Sequence, residues 1–173
     1  MKKKTAENRI EEAKDICEEK IKKSFDECFK EVKDYVDKCL SKLEGKPGYS
    51  ERPADDNRIT YTIEVVDLNE TINRKEGESF FIQFTRDGYV VVVGAGHDYR
   101  RPNGNLNSKI LKKVGKEWSN KAILIYVKNL RPTKKHSGAG PDKHTDNILQ
   151  CRNDVEIYIG EYLLKAGGPI LNK

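Results

Sequence analysis

Residues 80–93 read FFIQFTRDGYVVVV and contain the clearest fold signal in the chain. Two apolar segments, Phe80 to Thr85 and Tyr89 to Val93, flank the short connection Arg86-Asp87-Gly88. An Asp-Gly pair suits the positive φ angles of a tight hairpin turn, so this stretch predicts two antiparallel strands. The second segment does not alternate between apolar and polar residues, and we therefore expect it to be a central strand that is covered on both faces.

The segments on either side extend this pattern. Ile59 to Val65 alternates between apolar and polar residues, as in a strand with one buried face, and Ala122 to Val127 and Val155 to Leu164 are also predicted as strands. Leu106 to Trp118 repeats its apolar residues at helical spacing and predicts a short basic helix. The sequence thus predicts an α+β fold with a mostly antiparallel sheet of about five strands and one short basic helix.

The N-terminal quarter of the chain has a helical pattern. Apolar residues recur at helical spacing from Ile10 to Leu43, and Lys and Glu fill most of the positions between them. We expect one long amphipathic helix within residues 1–46, ended by Gly45 and Pro47, then a linker over 47–58 and a sheet-rich domain over 59–173. The helix should pack on the sheet or form a homo-oligomer through residues 10–43.

The cysteines and the hydropathy of the chain bear on its compartment. Cys17, Cys28 and Cys39 fall on the predicted helix, too far apart along its axis to bridge one another, so we expect reduced thiols, with cross-chain pairing as the alternative. The basic start of the chain lacks the apolar run of a signal peptide. No stretch approaches the roughly 18 apolar residues of a membrane span, and a soluble, cytoplasmic protein without a membrane partner is expected.

Charge is distributed unevenly along the chain, whose formal net charge is +5. Residues 47–98 contain 5 Lys and Arg against 10 Asp and Glu, whereas residues 99–173 contain 15 against 6. A basic region of this kind attracts nucleic acids through counterion release. The opposing interpretation is that these lysines make the surface soluble and pair with the acidic strands that precede them.

From this asymmetry we predict a nucleic-acid-binding protein whose partner is RNA or single-stranded DNA, bound through a basic face within residues 99–143. Aromatic side chains among the basic residues could stack on bases, and Tyr99, Trp118, Tyr126 and Tyr158 are the candidates. The predicted contact residues are Tyr99, Arg100, Arg101, Lys109, Lys112, Lys113, Lys116, Arg131, Lys134, Lys135 and Lys143.

The three histidines suggest an enzymatic alternative. His97, His136 and His144 fall in predicted glycine-containing loops close to Lys or Arg. Cleavage of RNA without a metal needs a general acid and base of near-neutral pKa and cations that stabilise the transition state, and these side chains could supply both. The alternatives to a binding protein are therefore a small, toxin-type ribonuclease that uses these catalytic histidines, and a structural or partner-binding oligomeric module.

No motif predicts a cofactor or a metal ion. The glycines Gly94 and Gly96 follow an apolar strand, but no third glycine and no helix follow at the spacing of a dinucleotide-binding fingerprint. His136, His144 and Cys151 match no recognised zinc spacing. We expect neither group to be bound.

Overall fold

The computed structural model describes residues 4–18, 23–48, 57–96, 104–130 and 152–171. Within these segments the chain forms α1 (Ala6–Glu18), α2 (Phe25–Ser41), β1 (Thr60–Asp67), β2 (Glu78–Thr85), β3 (Val90–Ala95), α3 (Gly104–Val114), β4 (Trp118–Lys128) and α4 (Arg152–Lys165). The strands form one antiparallel sheet in the order β1-β4-β2-β3, which confirms the predicted α+β class. None of the helices in the described segments combines the length and the apolar character that a membrane span requires.

The predicted hairpin is confirmed as β2 and β3. Its turn contains Gly88 with a φ of 98°, a conformation that glycine adopts without steric cost. β3 lies at the edge of the sheet, so the prediction of a central strand is wrong. Both faces of β3 are nevertheless covered, because Val90 packs in the cluster that contains α2 and α4 and Val91 in the cluster that contains α1 and α3. This double coverage explains the run of valines without alternation.

The main core lies between the sheet and the helices α2 and α4. Val32, Val36 and Leu40 on α2 are fully buried, as are Ile159 and Leu163 on α4, and all pack on one face of the sheet. Each side chain of this kind contributes on the order of 1.5–3 kcal/mol when it leaves water. Helix α2, in the N-terminal part of the chain, thus belongs to the core that covers one face of the sheet.

The opposite face of the sheet has two separate covers. Over β3, α1 and α3 bury Ala13, Ile110 and Leu111. Over β4, the crossover of residues 68–77, which joins β1 to β2, places Ile72 against a cluster that includes Leu124. Between these two covers the described residues leave the sheet face open near the start of β4.

The predicted single helix of residues 10–43 is two helices in the structure. Ser24 begins α2 as its N-cap: its hydroxyl accepts a hydrogen bond from the backbone N–H of Glu27 (3.3 Å), and its own N–H donates to the Glu27 carboxylate (2.8 Å). This reciprocal capping box starts a new helix in the middle of the periodic pattern. As a result α1 and α2 pack on opposite faces of the sheet, which spacing along the chain does not reveal.

Two further element assignments are corrected. Residues 155–164, predicted as a fifth strand, lie in α4, where burial of Val155, Ile159 and Leu163 follows the helical period. Their β-branched and aromatic neighbours favour a strand locally, but packing against α2 decides the conformation. Trp118, predicted on the short helix, begins β4, because α3 ends at Val114 and Gly115 follows with a φ of 67°.

The cysteines of α2 face the interior. Cys28 and Cys39 are buried free thiols, and Cys17 on α1 is a half-buried one. Burial raises the pKa of the Cys39 thiol to about 11, so that this thiol stays protonated at neutral pH. In the folded domain Cys28 and Cys39 are therefore not placed to pair with a neighbouring chain, whereas Cys151 lies outside the described residues. Oligomerisation through residues 10–43 stays a prediction, although the apolar stripe of α2 is already covered.

Candidate nucleic-acid interface

The helix α3 is oriented by its apolar side. Ile110 and Leu111 are buried against Tyr89 and Val91 of the sheet and against α1. Leu106 and Val114 pack against the same cluster, four residues before and after Ile110. Because residues three and four positions apart share one side of a helix, these positions mark the packed side, and positions 109, 112 and 113 point away from the sheet. The lysines of α3 are accordingly directed to solvent.

Three of the predicted contact residues form an exposed row on this helix. Lys112 and Lys113 lie three and four residues after Lys109, and all three side chains are exposed. The sequence of α3 contains no Asp or Glu, and these lysines make no ion pair with any residue in the described part of the chain. We name this surface the α3 lysine row.

Lys116, also predicted as a contact residue, has a different environment. Its ammonium group forms an ion pair with Asp87 in the β2–β3 turn and lies 5.0 Å from the centre of the Tyr89 ring. Partial burial opposes both charges, but the hydrogen bonds and the electrostatic attraction between the two groups together outweigh it. The pKa of Lys116 is therefore raised and that of Asp87, which also accepts from Thr85, is lowered. The charge of Lys116 is thus compensated within the fold.

Other basic residues of the second half also meet acidic residues of the first. Lys128 pairs with Glu76 at 2.8 Å, and Arg152 approaches Glu78 at 3.5 Å. At these positions the structure agrees with the opposing interpretation, in which the basic half is neutralised by the strands before it. The α3 lysine row does not follow that pattern.

The remaining predicted contact residues and all the candidate catalytic residues lie outside the described residues. They are Tyr99, Arg100, Arg101, Arg131, Lys134, Lys135 and Lys143, and the histidines His97, His136 and His144. The segments that contain them start where β3 and β4 end, and these two strands run in the same direction on either side of β2. Cleavage of RNA by the histidines stays a prediction.

The aromatic residues predicted to stack on bases are separated by the fold. Tyr126 is only 2% exposed and belongs to the cluster under the crossover, and Tyr158 packs against the main core. Trp118 is half-buried, with part of its side chain against the cluster of α1 and α3. Trp118 lines an open cleft, and Tyr126 lines the wall of a smaller cavity.

This cleft has a volume of about 540 Å³ and lies between the two covers of the sheet face. It is lined by Leu68, Asn69, Gln83, Arg86, Trp118, Ser119 and Asn120. Its walls are held by the junction of β1 and β4: the Asn120 side-chain amide donates to Asp67 (2.8 Å), and the backbone N–H of Leu68 donates to the Asn120 carbonyl (2.7 Å). Sequence reasoning missed the cleft, although a lone Gln within the apolar stretch FFIQF was a usable signal.

Among the described residues, no group of three or more His, Cys, Asp and Glu side chains is arranged to hold a metal ion. The described residues thus provide two features, the α3 lysine row and a cleft with amide and indole walls, and Trp118 of the cleft packs against the cluster that anchors α3. No family model matches the chain, and comparison with curated proteins and with solved structures returned no significant match.

Proposed function

We propose that the protein binds RNA or single-stranded DNA and that the α3 lysine row contacts the phosphate backbone. The observation that supports this proposal is the contrast between Lys109, Lys112 and Lys113, which have no acidic neighbour on their helix, and Lys116 and Lys128, which are ion-paired. A lysine that is exposed to solvent and forms no ion pair can displace the counterions of a phosphate backbone without first breaking an ion pair within the protein.

A competing explanation is that these lysines serve the helix itself. Lys112 and Lys113 lie in the last turn of α3, where positive charge interacts favourably with the helix dipole. Interaction with the helix dipole affects the stability of the protein but not its affinity for nucleic acid, so a binding experiment distinguishes the two explanations.

The test is a salt titration of the affinity for labelled single-stranded RNA, measured by fluorescence anisotropy in EDTA. Each phosphate contact on a single strand contributes about 0.7 to the slope of log affinity against log salt, so three contacts contribute about 2. The variant K109Q/K112Q/K113Q should lose that part of the slope. Between about 50 and 200 mM salt, the wild-type affinity should then fall roughly 20-fold more than that of the variant.

The matched control is K30Q/K33Q/K38Q, which removes the same charge from exposed positions on α2. It should keep nearly the whole wild-type slope. Equal losses in the two triple variants would mean that only net charge matters, and absence of wild-type binding at low salt would end the proposal. Integrity of the RNA after the titration tests the ribonuclease alternative in the same samples.

A further inference from the structure

The cleft beside α3 has the size and chemistry of a ligand site. Its volume of about 540 Å³ falls within the roughly 300–1,000 Å³ of typical small-molecule sites. None of the described residues that line it is acidic. Neutral amides, one hydroxyl and one indole suit an uncharged heteroaromatic group better than they suit a metal ion or an amine.

Trp118 provides an aromatic surface in this cleft. One part of the side chain packs against the buried cluster of α1 and α3, and the residue also lines the cleft. An indole that is fixed on one side and accessible on the other is an efficient stacking surface, and base–aromatic stacking is sequence-tolerant because every base has a π-face.

Gln83 provides directional hydrogen bonding. It is only 3% exposed, it lies on β2 between Ala122 and Val92 of the neighbouring strands, and it lines the cleft. A primary amide offers both donors and an acceptor, and this combination matches the edge of a nucleobase. Asn69 and Asn120 bring two further amides to the same walls.

Arg86 adds a cation to the lining. It pairs with Glu117 at 2.6 Å, but both side chains are highly exposed, at 74% and 69%. Exposed pairs of this kind contribute little to stability, so a phosphate can replace Glu117 at little cost. Guanidinium groups bind phosphate oxygens with two parallel hydrogen bonds when geometry permits.

A second cavity, of about 310 Å³, lies at the other end of the same strands and includes Lys75 and Lys128 in its lining. Lys75 pairs with Glu64, and Lys128 pairs with Glu76. Its cations are thus compensated, and of its two aromatic residues Tyr126 is only 2% exposed and Tyr61 already donates its hydroxyl to Asp37 (2.9 Å). The cleft beside α3 is the better candidate for a base.

We propose that this cleft takes one unpaired base of a single strand, stacked on Trp118 and hydrogen-bonded by Gln83, while the α3 lysine row holds the neighbouring phosphates. The proposal rests on the proposed function and deepens it: a base engaged in a duplex cannot enter, so the protein should prefer single strands to duplexes of equal charge.

Trp118 is the only tryptophan of the chain, so its fluorescence reports directly on the cleft. The experiment titrates wild type with the neutral nucleosides adenosine and uridine, with ribose as the control ligand, and follows quenching of this emission. Saturable quenching by a nucleoside and none by ribose is expected. The variant Q83M, which keeps the side-chain volume, should bind the nucleoside on the order of tenfold more weakly.

Asn69 is exposed, so N69A tests the cleft without disturbing the core, and N73A, on the same crossover but outside the cleft lining, is its matched control. N69A should weaken nucleoside binding and N73A should not. The urea midpoints of all variants are measured alongside, so that loss of binding in an unfolded protein is not counted as support.

Failure of this proposal and failure of the proposed function give different results. Salt-dependent RNA binding through the α3 lysine row, with no nucleoside quenching and equal affinity for duplexes, would overturn the base site and leave the backbone contact intact. Nucleoside quenching that persists in K109Q/K112Q/K113Q, together with a preference for single strands, supports the base site. Nucleoside quenching without any affinity for RNA would overturn the role of the cleft in nucleic-acid binding.

Discussion

Replacement of Gly88 by alanine should strongly destabilise the protein, for two separable reasons. Gly88 has a φ of 98°, and residues with a side chain pay roughly 1–2 kcal/mol in this region. A Cβ atom at this position would also lie 2.6 Å from the Cβ of Cys28 and 3.4 Å from the Cα of Phe25, both on α2. Overpacking of this kind typically costs about 1–3 kcal/mol, so G88A should lose about 2–5 kcal/mol of unfolding free energy.

The matched control is G115A, at the end of α3. Gly115 has a φ of 67°, but beyond its local backbone no atom of the described residues lies within 4 Å of the position of an added Cβ. It therefore carries the backbone cost without the collision and should lose only about 1–2 kcal/mol. Urea denaturation followed by circular dichroism gives both values. Equal destabilisation of the two variants would refute the close contact between the β2–β3 turn and α2.

Two further outcomes follow from the titrating groups. The pKa of Asp87 is lowered in the fold, because its favourable contacts with Lys116 and Thr85 together outweigh the opposing effect of burial. Ionised Asp87 therefore stabilises the folded protein above the ordinary carboxyl pKa, and this stabilisation is lost as pH falls through the pKa of the folded state. The unfolding free energy from urea denaturation, measured from neutral pH down to acid, should decrease more for wild type than for D87N, by up to about 1 kcal/mol. Identical pH profiles would contradict the contribution of the pair. Burial keeps the thiols of Cys28 and Cys39 protonated and inaccessible, so a thiol reagent should modify them only after denaturation. Rapid labelling of either cysteine in the native protein would show that α2 is not packed on the sheet.

Local signals in the sequence were sufficient for several features. The Asp-Gly turn predicts the β2–β3 hairpin because its positive φ angles are a property of a few residues, and the alternation of Ile59 to Val65 predicts β1 for the same local reason. The spacing of Ile110 and Leu111 predicts α3 and, with it, the outward direction of Lys109, Lys112 and Lys113. These three lysines are the part of the predicted interface that both the sequence and the structure place on an exposed surface.

The wrong predictions concern choices that local pattern does not determine. A continuous apolar stripe is compatible with one helix or with two, and the capping box at Ser24 separates α1 from α2 so that each covers a different face of the sheet. The segment around Ile159 has strand propensity, yet it forms α4 because only a helix there buries its apolar residues against α2.

The sequence alone determined the α+β class, the hairpin and the basic helix, since each depends on residues that are close together in the chain. The tertiary structure decided which charges are compensated and where the cleft lies. Lys116 meets Asp87, and Gln83 shares a cleft with Asn69 and Trp118, only because β1, β2 and β4 are brought side by side in the sheet. Contacts between residues so distant in the chain arise from strand order and packing, which no local spacing encodes.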